Sequence, residues 1–91
     1  MSSRNNGSII HAMSQAMRRA VQIVKIREQA QSGEARAVRK HAGLSLAEVG
    51  SDIGVHASTV QKWELGKRSP RGENAIRYAS LLGRLSAMSA K

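Results

Sequence analysis

The N-terminal part of the chain carries apolar side chains every three or four positions, and no glycine or proline interrupts residues 8–31. This spacing predicts one long amphipathic helix, which we assign to residues 8–32. The polar residues 1–7 before it are expected to form a flexible arm. The apolar stripe covers about half of the helix circumference, which is wider than one docking face needs. Its residues are Ile9, Ile10, Met13, Met17, Ala20, Val21 and Val24.

A helix with so wide a stripe has several candidate partners. It can pack on its own domain, on a second copy of the chain or on a different protein, and a basic amphipathic helix can also lie on a membrane surface. We expect a second copy to cover it, because this much apolar surface is unfavourable in water. The predicted dimer interface comprises Ile10, Met13, Met17, Ala20, Val21 and Val24.

Shorter helices follow, separated by glycines and by residues that favour turns. They are predicted over residues 34–42, 46–53, 57–64 and 73–82. We assign residues 33–84 to one all-α domain. Residues 85–91 are small and polar, so we expect them to form a frayed tail.

The stretch from 46 to 67 has the features of two short helices that cross closely. Gly50 lies in the middle of the first helix, where glycine costs about 1 kcal/mol relative to alanine. A small residue at this position is explained if the second helix passes close to it. Ser45 and Glu48 form a capping box before the first helix, and Gly54 can end that helix with a left-handed backbone. These features predict a helix-turn-helix.

Charge and composition narrow the function. Fifteen Lys and Arg residues stand against six Asp and Glu residues, which gives a net charge of +9. A small chain this basic is typical of proteins that bind a polyanion. There is no cysteine, the three histidines are isolated, and no catalytic motif is present, so we expect no metal, no cofactor and no enzymatic activity. Without a signal-peptide pattern, a cytoplasmic, nucleoid-associated protein is expected.

Specific residues around this stretch resemble the Cro/CI-type helix-turn-helix family, which includes phage repressors, Cro proteins and many bacterial regulators. The resemblance covers about residues 34–82 and implies a lambda-repressor-like domain of four to five short helices. It is carried by Leu44-Ser45, Val49-Gly50, Ile53-Gly54-Val55, Ser58-Thr59-Val60, Trp63-Glu64, Gly66-Lys67 and Pro70.

The resemblance also implies roles for individual residues. The helix over 57–64 would enter the major groove of DNA by its N-terminal half. The implied base-contacting residues are His56, Ala57, Ser58, Gln61 and Lys62, and the implied phosphate-contacting residues are Ser45, Thr59, Lys67, Arg68 and Arg71. For the basic residues, the alternative is an ordinary solvated charge. Arg39 and Glu64 occupy positions that are paired in some phage repressors, and we interpret them as a structural ion pair.

We therefore expect a sequence-specific, double-stranded DNA-binding transcriptional regulator, Cro-like or repressor-like, that acts as a homodimer. Occupation of a promoter would repress transcription, whereas contact with polymerase would activate it, and the sequence does not distinguish the two. The alternative is an antitoxin-type or bridging protein that uses its N-terminal helix to bind a protein partner.

Overall fold

The structure, a computed structural model, describes residues 14–89. This part of the chain folds into five helices joined by short turns and loops. This part contains no strand, and the predicted all-α fold class is confirmed. The predicted arm over 1–7 and the first residues of the N-terminal helix lie outside the described residues. The helices are α1 Gln15–Ser32, α2 Glu34–His41, α3 Leu46–Ile53, α4 Ala57–Glu64 and α5 Gly72–Ser89.

The N-terminal helix α1 is an integral part of the core. The hydroxyl of Ser14 caps its first turn by accepting a hydrogen bond from the Met17 amide at 3.0 Å. Ile26 and Ala30 are completely buried, and they dock α1 against α5, α2 and α4. These two residues lie outside the predicted stripe, so the stripe is not the face that docks. The helix therefore has two apolar faces. The one with Ile26 and Ala30 packs in the core, and the predicted stripe with Met17, Val21 and Val24 stays exposed.

Helices α2 and α3 begin and end where the sequence predicts, within one residue. Gly43 follows α2 with a φ of 78°, and the Leu44 amide donates to the Arg39 carbonyl at 3.1 Å to close the end of the helix. The capping box of α3 is present in full. The Glu48 amide donates to the Ser45 hydroxyl at 3.0 Å, and the Ser45 amide donates to the Glu48 carboxylate at 2.8 Å.

All five helices contribute to the core, and its aromatic centre is one pair. The rings of Trp63 and Tyr78 have centroids 4.9 Å apart and are tilted by 34°, which is a favourable aromatic arrangement. The Tyr78 hydroxyl is buried without a hydrogen-bond partner among the described residues, and this burial raises its pKa. The remaining buried apolar residues are Ile26, Ala30, Ala35, Val49, Ile53, Val60, Ala75 and Leu82.

The last helix, α5, is longer than the sequence prediction. It continues beyond Leu82 to Ser89, about two turns further, so the expectation that 85–91 would fray is wrong for 85–89. Leu81 and Leu85 are partly buried against the core, and their packing carries the helix through Gly83. On this helix Ala75, Tyr78 and Leu82 are buried, whereas Ile76 and Ala79 are only partly buried.

None of the helices within residues 14–89 combines the length and the apolar character that a membrane crossing requires.

Gly50 is the point of closest approach between α3 and the chain that leads into α4. A Cβ atom at Gly50 would lie 2.5 Å from the Val55 carbonyl oxygen, 3.2 Å from the His56 carbonyl carbon and 3.3 Å from the Ala57 nitrogen. All three are backbone atoms, so a side chain can be accommodated only if the turn moves. The close crossing predicted from Gly50 is therefore present, and the backbone of the turn makes it.

We expect Gly50→Ala to destabilise the protein by about 2 kcal/mol or more, because overpacking against backbone cannot be relieved by a rotamer change. Gly83→Ala is the matched control. Gly83 is also helical, but nothing lies within 4 Å of its Cβ position, so alanine there should stabilise the fold by about 0.5–1 kcal/mol. Urea unfolding measures both, and a Gly50→Ala protein as stable as the wild type would contradict the close approach.

Candidate nucleic-acid interface

A tight turn over residues 54–56 joins α3 to α4 and fixes their relative orientation. The amides of Gly54 and Val55 both donate to the Gly50 carbonyl, at 2.7 and 2.8 Å. Gly54 has a φ of 95°, a left-handed conformation that glycine adopts without steric cost. Val60 and Trp63 then hold one side of α4 in the core. The opposite side of α4 is left facing solvent.

This solvent-facing side of α4 is polar and begins at an open helix end. Ser58, Gln61 and Lys62 are exposed, and Ala57 is partly exposed. His56 occupies the N-cap position, is exposed, and makes no side-chain hydrogen bond to the first turn. The Thr59 amide of that turn donates to the His56 carbonyl at 3.0 Å, which leaves the Ala57 and Ser58 amides open to an acceptor from outside. The helix dipole favours an acceptor with negative charge. All the residues predicted to contact bases lie together here.

A basic groove lies beside this end of α4, between it and the start of α5. Its volume is about 540 Å³, and no acidic residue lines it. Three of the residues that line it are cationic and exposed to solvent, namely Lys67, Arg68 and Arg71. No three His, Asp or Glu side chains within residues 14–89 are grouped so as to hold a metal ion. The lining residues are Thr59, Trp63, Gly66, Lys67, Arg68, Ser69, Arg71 and Asn74.

Ser45 is the one predicted phosphate contact that does not line this groove. It lies at the N-terminus of α3, and its amide already donates to Glu48. The hydrogen bond from the Ser45 backbone amide lowers the pKa of the Glu48 carboxyl below its usual value, and the hydrogen bond with the Ser45 side chain lowers it further. A carboxylate therefore stands at this helix end and would repel a phosphate. Only the hydroxyl hydrogen of Ser45 remains free to donate.

The end of α4 is fixed by a buried ion pair with α2. The Arg39 guanidinium donates to both carboxylate oxygens of Glu64, from Nε at 2.6 Å and from Nη2 at 2.9 Å. A third donor, Nη1, binds the Leu44 carbonyl at 3.0 Å. Only 10% of the Arg39 side chain and 5% of the Glu64 side chain are exposed. The hydrogen bonds that Arg39 donates to Glu64 raise the pKa of the Arg39 guanidinium above its usual value.

The sequence model of a helix-turn-helix family matches residues 36–87, more than half of the chain. The chain belongs to the Cro/CI-type helix-turn-helix family. It is thus a DNA-binding transcription regulator of the Cro/CI kind, with a lambda-repressor-like all-α fold. No curated protein and no solved structure matches the chain significantly. The helix-turn-helix itself is formed by α3, the turn and α4.

The whole of α1 lies outside the matched range, and one of its faces has no partner among the described residues. Met17, Val21 and Val24 are each more than half exposed, at 53%, 52% and 56%. Together with Ala20 they form what we call the α1 strip, a shallow apolar surface flanked by Lys25 and Glu28. Ile10 and Met13, predicted to continue this face, lie outside the described residues.

Two side chains of α1 contact the segment that carries the basic groove, and sequence reasoning missed both. Arg27 donates from Nε to the Pro70 carbonyl at 2.9 Å, and Arg19 forms an ion pair with Glu73 at 2.7 Å. Arg27 and Pro70 are 43 residues apart in the chain, so no local sequence pattern links them. The helix-turn-helix protein thus has its groove supported from an element outside the family domain.

We expect Arg39→Met to destabilise the helix-turn-helix protein by about 3 kcal/mol or more, because it leaves the Glu64 carboxylate buried without a partner. Arg36→Met is the control: Arg36 lies on the same helix but is exposed, and its loss should change stability by less than about 0.5 kcal/mol. Thermal unfolding compares the two variants. Equal melting temperatures would mean that the Arg39–Glu64 pair does not hold α4.

Proposed function

We propose that this regulator binds specific sites in double-stranded DNA, with α4 in the major groove and the phosphate backbone in the basic groove beside it. The observation that supports this most strongly is that the polar face of α4 and the cationic groove adjoin each other. Thr59, which lines the groove, directly follows the exposed Ser58 of that face. Base edges and phosphates are close neighbours along DNA, so a protein that reads sequence needs both kinds of contact on one surface.

The side chains at the start of α4 suit base edges in different ways. Gln61 can donate to and accept from an adenine edge, and Lys62 can donate to the O6 and N7 atoms of guanine. The methyl group of Ala57 can contact a thymine methyl, whereas Ser58 is compatible with several bases. His56 lies where the open helix end meets the DNA. In this proposal Gln61 and Lys62 provide most of the discrimination.

The phosphate contacts are assigned to the groove. Lys67, Arg68 and Arg71 provide the positive charge, and the Thr59 hydroxyl provides a neutral donor. Ser45 is retained as a weaker contact, through its hydroxyl alone. These contacts position the protein and supply affinity, but they do not distinguish one sequence from another.

Selection of bound duplexes from a random DNA pool tests the proposal, and two lysine variants separate its parts. Lys62→Ala should relax the preference at one base position, at a cost of about 1–3 kcal/mol for the preferred site. Lys67→Ala should instead weaken all sequences alike and reduce the dependence of affinity on salt by about one phosphate contact.

An unenriched pool would contradict specific binding. If the wild type enriches a site but the two variants show the same pattern of loss, the division between base readers and phosphate binders is wrong.

We further propose that the protein binds DNA as a homodimer joined through the α1 strip. The opposite face of α1 is already docked through Ile26 and Ala30, so the described part of its own domain leaves the strip uncovered. A two-fold axis near Met17 would place the α1 strip of one copy against that of the other. A dimer of this kind would place two α4 helices about 34 Å apart, one turn of DNA.

Met17→Glu should abolish dimerisation, because it places a charge in the middle of an apolar interface. Gln22→Glu adds the same charge to an exposed position of α1 outside the strip and should have little effect. Analytical ultracentrifugation at tens of micromolar measures the mass of each protein.

A wild-type monomer under these conditions would overturn the homodimer. If that monomer associates with another protein and Met17→Glu prevents the association, the bridging or antitoxin-type role of α1 takes its place.

A further inference from the structure

The loop between α4 and α5 carries the three cations of the basic groove, and its two halves are held in different ways. The first half is tied to α4, since the amides of Lys67 and Arg68 donate to the Lys62 carbonyl at 2.9 and 3.3 Å. The second half departs from α4 at Ser69 and Pro70. It is held at Arg71 by α5, whose Ala75 amide donates to the Arg71 carbonyl at 3.1 Å, and at Pro70 by α1.

Pro70 is the anchor of this second half. Its ring is completely buried, and it has no N–H group, so its carbonyl is its only backbone hydrogen-bonding group. That carbonyl accepts from the Arg27 Nε atom at 2.9 Å, in partly buried surroundings. A charged donor makes a short and directional hydrogen bond there. Between the backbone bonds at Arg68 and Arg71, the Arg27–Pro70 hydrogen bond is therefore the one that fixes the loop to α1.

The neighbouring contact of α1 is weaker. Arg19 and Glu73 form an ion pair, but their side chains are 42% and 59% exposed. Exposed pairs of this kind contribute little, because water and salt screen them. Of the two contacts from α1 to this segment, the one made by Arg27 is thus the one able to fix the loop.

We propose that Arg27 is a positioning residue for DNA binding: it sets the loop over 66–71 so that its cations face the phosphate backbone. This inference rests on the proposed function. In this proposal α1 contributes to DNA binding through the position of the loop, and Arg27 itself does not contact DNA. It also means that whatever binds the α1 strip acts on a helix that is joined directly to the phosphate-binding loop.

Duplex affinity of the full-length chain, measured by fluorescence anisotropy on the selected site, tests this. Arg27→Met keeps the aliphatic stem and removes the donor, and it should weaken binding roughly tenfold, the effect of losing one charge-assisted hydrogen bond. Arg18→Met, at a position of α1 outside the strip, is the matched control. It removes one positive charge from an exposed position of the same helix and should weaken binding less than about twofold.

A double-mutant cycle separates positioning from direct contact. If Arg27 acts through the loop, Arg27→Met should cost little in an Arg71→Ala background, and the combined loss should be well below the product of the single losses. If the losses multiply, Arg27 acts independently of the loop and the proposal is overturned. Faster hydrogen exchange at the Ala75 amide, which donates to the Arg71 carbonyl, with α3 unchanged, is also expected in Arg27→Met.

Circular dichroism establishes that Arg27→Met is folded. If it is not, Arg27→Leu, which also lacks a donor, replaces it in the cycle, with the same criterion. Two further outcomes are decisive. Wild-type protein that binds no duplex removes the proposed function together with this inference. Wild-type binding with equal affinities for Arg27→Met and Arg18→Met overturns the inference alone.

Discussion

The close approach of the Val55 carbonyl oxygen to Gly50 is the constraint on which the proposed DNA-binding surface depends. Because Gly50 has no Cβ atom, the turn over 54–56 can fold back onto α3 and occupy the space that a Cβ would need. This turn sets the direction of α4. Once α4 starts in that direction, Trp63 reaches the core and Glu64 reaches Arg39. The polar face of α4 is exposed as a consequence of how its other face is held.

The N-terminal helix α1 adds to this family domain an element with three separate contacts. Ile26 docks it into the common core, Arg27 holds the loop at Pro70, and the α1 strip remains exposed. A rigid helix that joins an exposed apolar surface to a DNA-facing loop allows association at one end to influence affinity at the other. Such coupling is reciprocal, so DNA binding would also favour association at the strip.

The parts of the fold that sequence predicts are those with local signatures. Ser45 and Glu48 specify a helix start within four residues of each other, and Gly54 specifies the following stop through its backbone freedom. The Arg39–Glu64 pair was recognisable only through the family resemblance, because its members lie on different helices. The extension of α5 was missed because it depends on tertiary packing of Leu85, and the Arg27–Pro70 bond was missed because it has no local signature.

The dependence of duplex affinity on salt tests the central claim, that α4 and the adjoining groove form a DNA-binding surface. If each copy contacts about four phosphates, a dimer contacts about eight, and the logarithm of the association constant should fall with the logarithm of salt concentration at a slope of roughly −7. The full-length protein is titrated with its selected duplex over a range of salt concentrations. A slope near zero, or no binding to duplex DNA at low salt, would contradict the account.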